Sequence, residues 1–118
     1  MPSDLSVITK TYDLITWTIP KIQKFPRSFR FVLGDRLENH LLDLLELLIE
    51  AAAERDKIER LRRCNTLVAK LRHIFRLAHD FELIGAKNFQ IVSEKLYEIG
   101  RMVGGWRKQQ HEAAQPTI

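Results

Sequence analysis

The stretch Tyr97-Glu98-Ile99-Gly100-Arg101-Met102-Val103-Gly104-Gly105-Trp106-Arg107-Lys108 decides how the chain is read. Three glycines interrupt it, and each glycine inside a helix costs roughly 1 kcal/mol relative to alanine. Either close packing repays that cost or the helix ends here. Ile99, Val103 and Trp106 keep helical apolar spacing straight through the glycines, which favours packing over termination. Gly100 and Gly104 are four residues apart and share one face, so a neighbouring helix could approach them closely while Trp106 seals one end of a core.

Working outward, the same alternation of three and four residues recurs in four segments, and strand-like alternation is absent. The first segment, about 4–23, has Ser3 as a candidate N-cap with Asp4 in its first turn. It carries Leu5, Ile8, Tyr12, Ile15, Ile19 and Ile22, with Trp17 to one side. Pro20 removes a backbone hydrogen bond and crowds the carbonyl of Thr16, which predicts a bent or loosely wound last turn before Phe25-Pro26. The second, about 28–53, runs through Leu33, Leu37, Leu41, Leu44, Leu48 and Ala51. Leu42, Leu45 and Ile49 widen its apolar arc to roughly 220°, more than a helix packed only within a monomeric bundle needs. That predicts a subunit interface, the alternative being a central helix touched by three neighbours of its own chain.

The third segment, about 56–84, opens on Asp56 as a possible N-cap and carries Leu61, Cys64, Val68, Leu71, Phe75 and Ala78 on one face. Opposite them Arg62, Arg72, His73 and Arg76 fall within an arc of about 100°. Gly85 ends this helix or opens the next turn. The fourth segment, about 87–110, turns Phe89, Val92, Leu96, Ile99, Val103 and Trp106 inward, and residues 111–118 read as a flexible polar tail. Four such helices with short connections predict an all-α fold, an antiparallel up-down-up-down four-helix bundle in a single domain.

The 118 residues suffice for one core without disulfides or metals, and the lone Cys64 has no internal partner. No secretory leader is recognisable at the start and no apolar run approaches the roughly 20 residues of a membrane span, so the expectation is a cytoplasmic protein. The net charge is +4 and it is sorted. Between Arg60 and Arg76 stand Arg60, Arg62, Arg63, Lys70, Arg72 and Arg76 without a single acid, while Asp43, Glu46, Glu50 and Glu54 form a separate ridge. Lys21, Lys24, Arg27 and Arg30 gather around the first connection. Such a surface contacts phosphates without reading bases, with steep salt dependence. A merely solvated charged face is the blander reading. Salt bridges from Arg72 or Arg30 to Glu46, Glu50 or Asp43 are the competing use of these charges.

Catalytic and cofactor chemistry finds no support. Three residues before His40, His73, His79 and His111 stand Leu37, Lys70, Arg76 and Lys108, so the Glu-x-x-His pairs of a di-metal bundle are missing. One cysteine and four scattered histidines give no zinc set, and Cys64 sits among apolar neighbours. The glycines follow a helix and do not join a strand to one, which excludes a phosphate loop. The helices are too long for a helix-turn-helix reader.

Phe25-Pro26-Arg27, Arg30, Leu33-Gly34, Arg36-Leu37, Leu71-Arg72, Phe75-Arg76-Leu77-Ala78 and above all Glu98-Ile99-Gly100-Arg101-Met102-Val103-Gly104-Gly105-Trp106 resemble the accessory variability determinant (Avd) proteins of diversity-generating retroelements. The likeness covers nearly the whole chain. Bundle proteins encoded by intervening sequences in large-subunit ribosomal RNA genes form a wider group of similar architecture, but their Ser-x-x-x-Asn-x-x-Glu-Gly type motif is missing here. The resemblance implies a homopentameric barrel of four-helix bundles with no catalytic activity. It implies binding to the element's reverse transcriptase and to template RNA, and also DNA, in support of adenine-directed mutagenic reverse transcription. The residues expected to make those contacts are Arg62, Arg72 and Arg76, then Arg27, Arg30, Arg63 and Lys70. The competing expectation is an oligomeric helical scaffold whose basic face docks an acidic protein.

Overall fold

The recurring apolar spacing produces helices almost everywhere. A computed structural model of the chain describes the backbone of residues 2–114 and the side chains of residues 6–114. The side chains of Ser3, Asp4 and Leu5 therefore lie outside the described residues, as does the tail beyond 114, while the backbone of α1 begins at Pro2, before the expected N-cap Ser3. Four long helical segments account for most of the described chain, which contains no strand: α1 (Pro2–Ile22), α2 (Arg27–Phe29, Arg30–Gly34 and Asp35–Ala53 in unbroken succession), α3 (Ile58–Asp80) and α4 (Ala86–Ala114). The molecule measures 57 × 22 × 20 Å, and α1 packs on α2 and α4 while α3 packs on α2 and α4. Each helix thus has two neighbours around one core.

On α2, α3 and α4 the expected stripes are the buried ones, with Phe89 only partly covered. On α1 they are not. Tyr12 is 59% exposed and Ile8, Ile15 and Ile19 are half-buried, whereas Val7, Thr11, Leu14, Thr18 and Ile22 face the core. The inward face is rotated because threonine can hide its polarity. The Thr11 hydroxyl donates to the Val7 carbonyl at 2.8 Å and Thr18 does the same to Leu14, leaving their methyl groups to pack. Pro20 lies within α1 with an exposed ring. After Ile22 the chain tightens, Lys24 N–H bonding the Lys21 carbonyl at 3.2 Å and Phe25 N–H the Ile22 carbonyl at 3.0 Å, and α2 begins at Arg27.

Nothing in the periodicity announces the π-helical turn Arg30–Gly34 inside α2, where Asp35 N–H donates to the Arg30 carbonyl five residues back. The extra residue buries Leu33 and Gly34 side by side and leaves Phe31 and Val32 exposed. A Cβ at Gly34 would stand 3.2 Å from Ile22 Cγ2, so glycine lets α2 close onto the end of α1.

The helix ends differ from the sequence-based expectation. Lys57, not Asp56, is the N-cap residue of α3, and the Asp56 carboxylate reaches only the Ile58 N–H at 3.4 Å. The Lys57 ammonium instead closes α2, donating to the carbonyls of Ala51 at 2.7 Å and Glu54 at 2.6 Å. It answers both the orphan acceptors and the negative end of the helix dipole. Helix α3 stops at Asp80, short of residue 84, through Glu82 N–H to His79 O and Leu83 N–H to Ala78 O, both 2.9 Å. This paired cap needs a left-handed residue, and Glu82 supplies it with φ 63°, leaving Gly85 to precede α4. Glu82→Gly is therefore expected to raise stability by about 0.5–1 kcal/mol, read as a higher urea midpoint. An unchanged or lower midpoint would refute the strain at this cap. Finally, α4 continues through 111–114, residues expected to belong to a flexible tail.

Candidate nucleic-acid interface

The inward stripe of α3 forces its basic residues outward, and Arg62, Arg63, Lys70, Arg72 and Arg76 are all exposed. They do not form one patch. Arg63, Lys70 and Arg62 line a groove of about 390 Å³ between α3 and α2, whose other wall holds His40, Asp43, Glu46 and Glu50. Arg72 and Arg76 lie beyond it. Arg27 and Arg30 stand apart at the start of α2, where Arg30 borders a hollow with Ile22, Gln23, Gly34, Asp35 and Glu38.

The acidic ridge faces the basic row, but the ion pairs differ from those weighed for Arg72 and Arg30. Arg60 reaches Glu50 at 3.4 Å and Glu54 at 3.7 Å, while Arg62 grips Glu59 of its own helix through bonds of 2.6 and 3.0 Å. That hydrogen bond from Arg62 holds the Glu59 carboxyl below its usual range, aided by the charges of Arg62, Arg63 and Arg107. Lys10, 2.8 Å from Glu98 across α1 and α4, lowers the Glu98 carboxyl in the same way. Both shifts favour the folded state above the ordinary carboxylate pKa and lose that effect as pH falls through the lowered value. Since all these groups are well exposed, the contributions are small. Arg62, first among the expected contacts, is thus partly neutralised, whereas no carboxylate lies within ion-pair distance of Arg72 or Arg76 among the described residues.

Burial, with help from Lys70 and Arg36, pushes the His40 imidazole below its ordinary value against the opposing pull of Asp43, and its Nδ1 has no hydrogen-bond partner. His40 therefore enters the groove as a neutral ring at neutral pH. Burial pushes the Cys64 thiol up to about 12, so it stays protonated and packs as a small apolar residue. No cluster of His, Cys, Asp and Glu fit to hold a metal occurs among the described residues.

Sequence reasoning passed over Tyr97, 63% exposed in the middle of α4, and Arg101, exposed one turn later. It also passed over Phe31 and Phe81, the latter with its ring centre 5.2 Å from that of Phe29 and tilted by 42°. The signal for Tyr97 was its place off the Val92, Leu96, Ile99 stripe. None existed for Phe31, which the π-helical turn exposes.

These features define a class: an all-helical protein whose described polar residues are arranged as charged surfaces, with no helix long and apolar enough to cross a membrane among them. A family model described as bAvd-like matches residues 5–110, and the chain belongs to that family. It is accordingly an Avd-like accessory protein. Comparison with curated proteins gives no match.

Proposed function

We propose that this chain is the non-catalytic accessory subunit of a diversity-generating retroelement, binding the reverse transcriptase and the template RNA, and also DNA, to support mutagenic reverse transcription. It does so as a single antiparallel up-down-up-down bundle assembled into a homopentamer in the cytoplasm. The observation that carries the reading is family membership over residues 5–110. The sorted basic face supports it, as do Leu42 and Ile49, which remain 45% and 50% exposed on α2 and offer apolar surface to a second copy.

The contacts fall to two regions. Arg72 and Arg76, with no carboxylate partner among the described residues, suit phosphates. The groove of Arg63 and Lys70 against Asp43 and Glu46 presents both signs of charge and suits a protein edge, which favours the scaffold reading there. The double change Arg72→Glu with Arg76→Glu is expected to abolish RNA binding at low salt, and the wild type is expected to lose affinity linearly in log salt with a slope of about 0.7 per neutralised phosphate. Anisotropy titrations across salt measure both, beside co-purification with the polymerase and light scattering for the pentamer. A monomer that binds neither RNA nor polymerase sinks the proposal. Binding to RNA that survives the double change while polymerase binding is lost favours the scaffold.

A further inference from the structure

Resting on the RNA-binding reading above, we infer that the outer seam of α3 and α4 is a single-stranded RNA platform, with one base stacked on Tyr97 and the flanking phosphates on Arg72, Arg76 and Arg101. One close contact, with one charge effect that agrees with it, sets the register of the seam. Gly100 is pressed to within 3.3 Å of Val68 Cγ1, counted from the Cβ it lacks, and Glu59 feels the charge of Arg107. As α3 runs from 59 to 68, α4 runs back from 107 to 100. Tyr97 then comes level with Leu71 and Arg72, and Arg101 with Leu67 and Val68.

Charge makes this seam different from the groove on the other flank of α3. From Arg62 to Arg76 α3 has no acid, and from Tyr97 to Lys108 α4 has only Glu98. Glu98 is turned toward α1, where Lys10 holds it at 2.8 Å. Glu94, one turn before Tyr97, accepts a bond from Gln90 at 3.1 Å and marks one end of the acid-free stretch, and the Arg62 and Glu59 pair marks the other. Within those limits Arg72, Arg76 and Arg101 are exposed, and so is the flat ring of Tyr97, with 63% of its surface in solvent. A mid-helix tyrosine so exposed contributes little to the core, but cations around an aromatic face are what an unpaired nucleotide requires. A duplex hides its base faces and cannot use the ring. A Cβ added at Gly104 or Gly105 would meet no neighbouring atom within 4 Å.

The test uses the full chain, an unstructured fluorescent RNA of about 12 nucleotides, matching known single-strand site sizes, and a duplex of equal length. Tyr97→Ala and Tyr97→Leu are each expected to weaken single-strand binding roughly tenfold while leaving duplex binding unchanged, and Tyr97→Phe to restore it. Arg101→Ala is expected to reduce the single-strand salt slope by about 0.7. Unchanged thermal melting of the variants shows that folding is not the cause. Single-strand affinity unaltered in Tyr97→Ala, in a protein that still loses RNA on charge reversal at Arg72 and Arg76, overturns the platform and spares the RNA-binding reading. Polymerase capture lost in Tyr97→Ala with RNA binding intact also overturns it, making the seam a protein surface. A wild type that binds no RNA at low salt overturns both.

Discussion

Leu44→Ala is expected to lower the free energy of unfolding by about 2–5 kcal/mol. Leu44 is completely buried midway along α2, a helix that packs on both α1 and α3, so neither neighbour can move into the vacated space without leaving its other contacts. The loss combines the transfer term for the missing methyl and methylene groups with the cavity that the surrounding leucines leave behind. Natural domains are stable by only about 5–15 kcal/mol, so the variant should stand near its folding threshold. Two residues away, Leu42→Ala removes a side chain that is 45% exposed and should cost well under half as much within one subunit. Urea unfolding of both, with the slope of the transition unchanged, measures the contrast. Equal losses at positions 42 and 44 would show that the buried arc of α2 is drawn wrongly.

The second large effect is a reversal of sign within the glycine run. Gly100→Leu is expected to cost about 1–3 kcal/mol, because the first atom added already meets Val68 Cγ1 at 3.3 Å and Val68 is itself held in the core. Gly104→Ala and Gly105→Ala should instead stabilise by up to about 1 kcal/mol each, since nothing stands within 4 Å of either added methyl and alanine is the better helix former. Thermal melting of the three variants reads the order directly. A Gly100→Leu protein as stable as the wild type would remove the close approach of α3 and α4. The pairing of Gly100 with Gly104 as one packing device, expected from their spacing, does not hold: only Gly100 is against a neighbour.

The apolar stripes of α2, α3 and α4 were legible because leucine, isoleucine and valine there have a single reason to recur at three and four residues, and burial follows them. On α1 two apolar rows run side by side, Val7 and Leu14 beside Ile8 and Ile15, and the choice between them rests on Thr11 and Thr18, whose polarity disappears only once their hydroxyls are bonded to the backbone. The basic residues of the candidate interface were equally legible as a row on α3. Their division was not. Whether an arginine faces Asp43 across a groove or stands clear of carboxylates depends on the neighbouring helix, which spacing along one helix cannot specify; only the pair of Arg62 with Glu59, three residues earlier on the same helix, lay within reach of spacing.

By itself, then, the sequence determined that the chain is helical, which sides of α2, α3 and α4 meet the core, that charge is sorted along α3, and through Glu98 to Trp106 the family to which it belongs. These are properties of residue type and period, and the physics behind them acts within one or two helical turns. Tertiary structure alone decided that α1 turns its threonines inward and that Glu82 takes the left-handed cap. It also decided that a π-helical turn re-aims Phe31, and that Gly100 packs while Gly104 and Gly105 lie open. Each of those depends on how far away the next helix lies, a distance set by the sum of all contacts in the core and written in no single stretch of the chain.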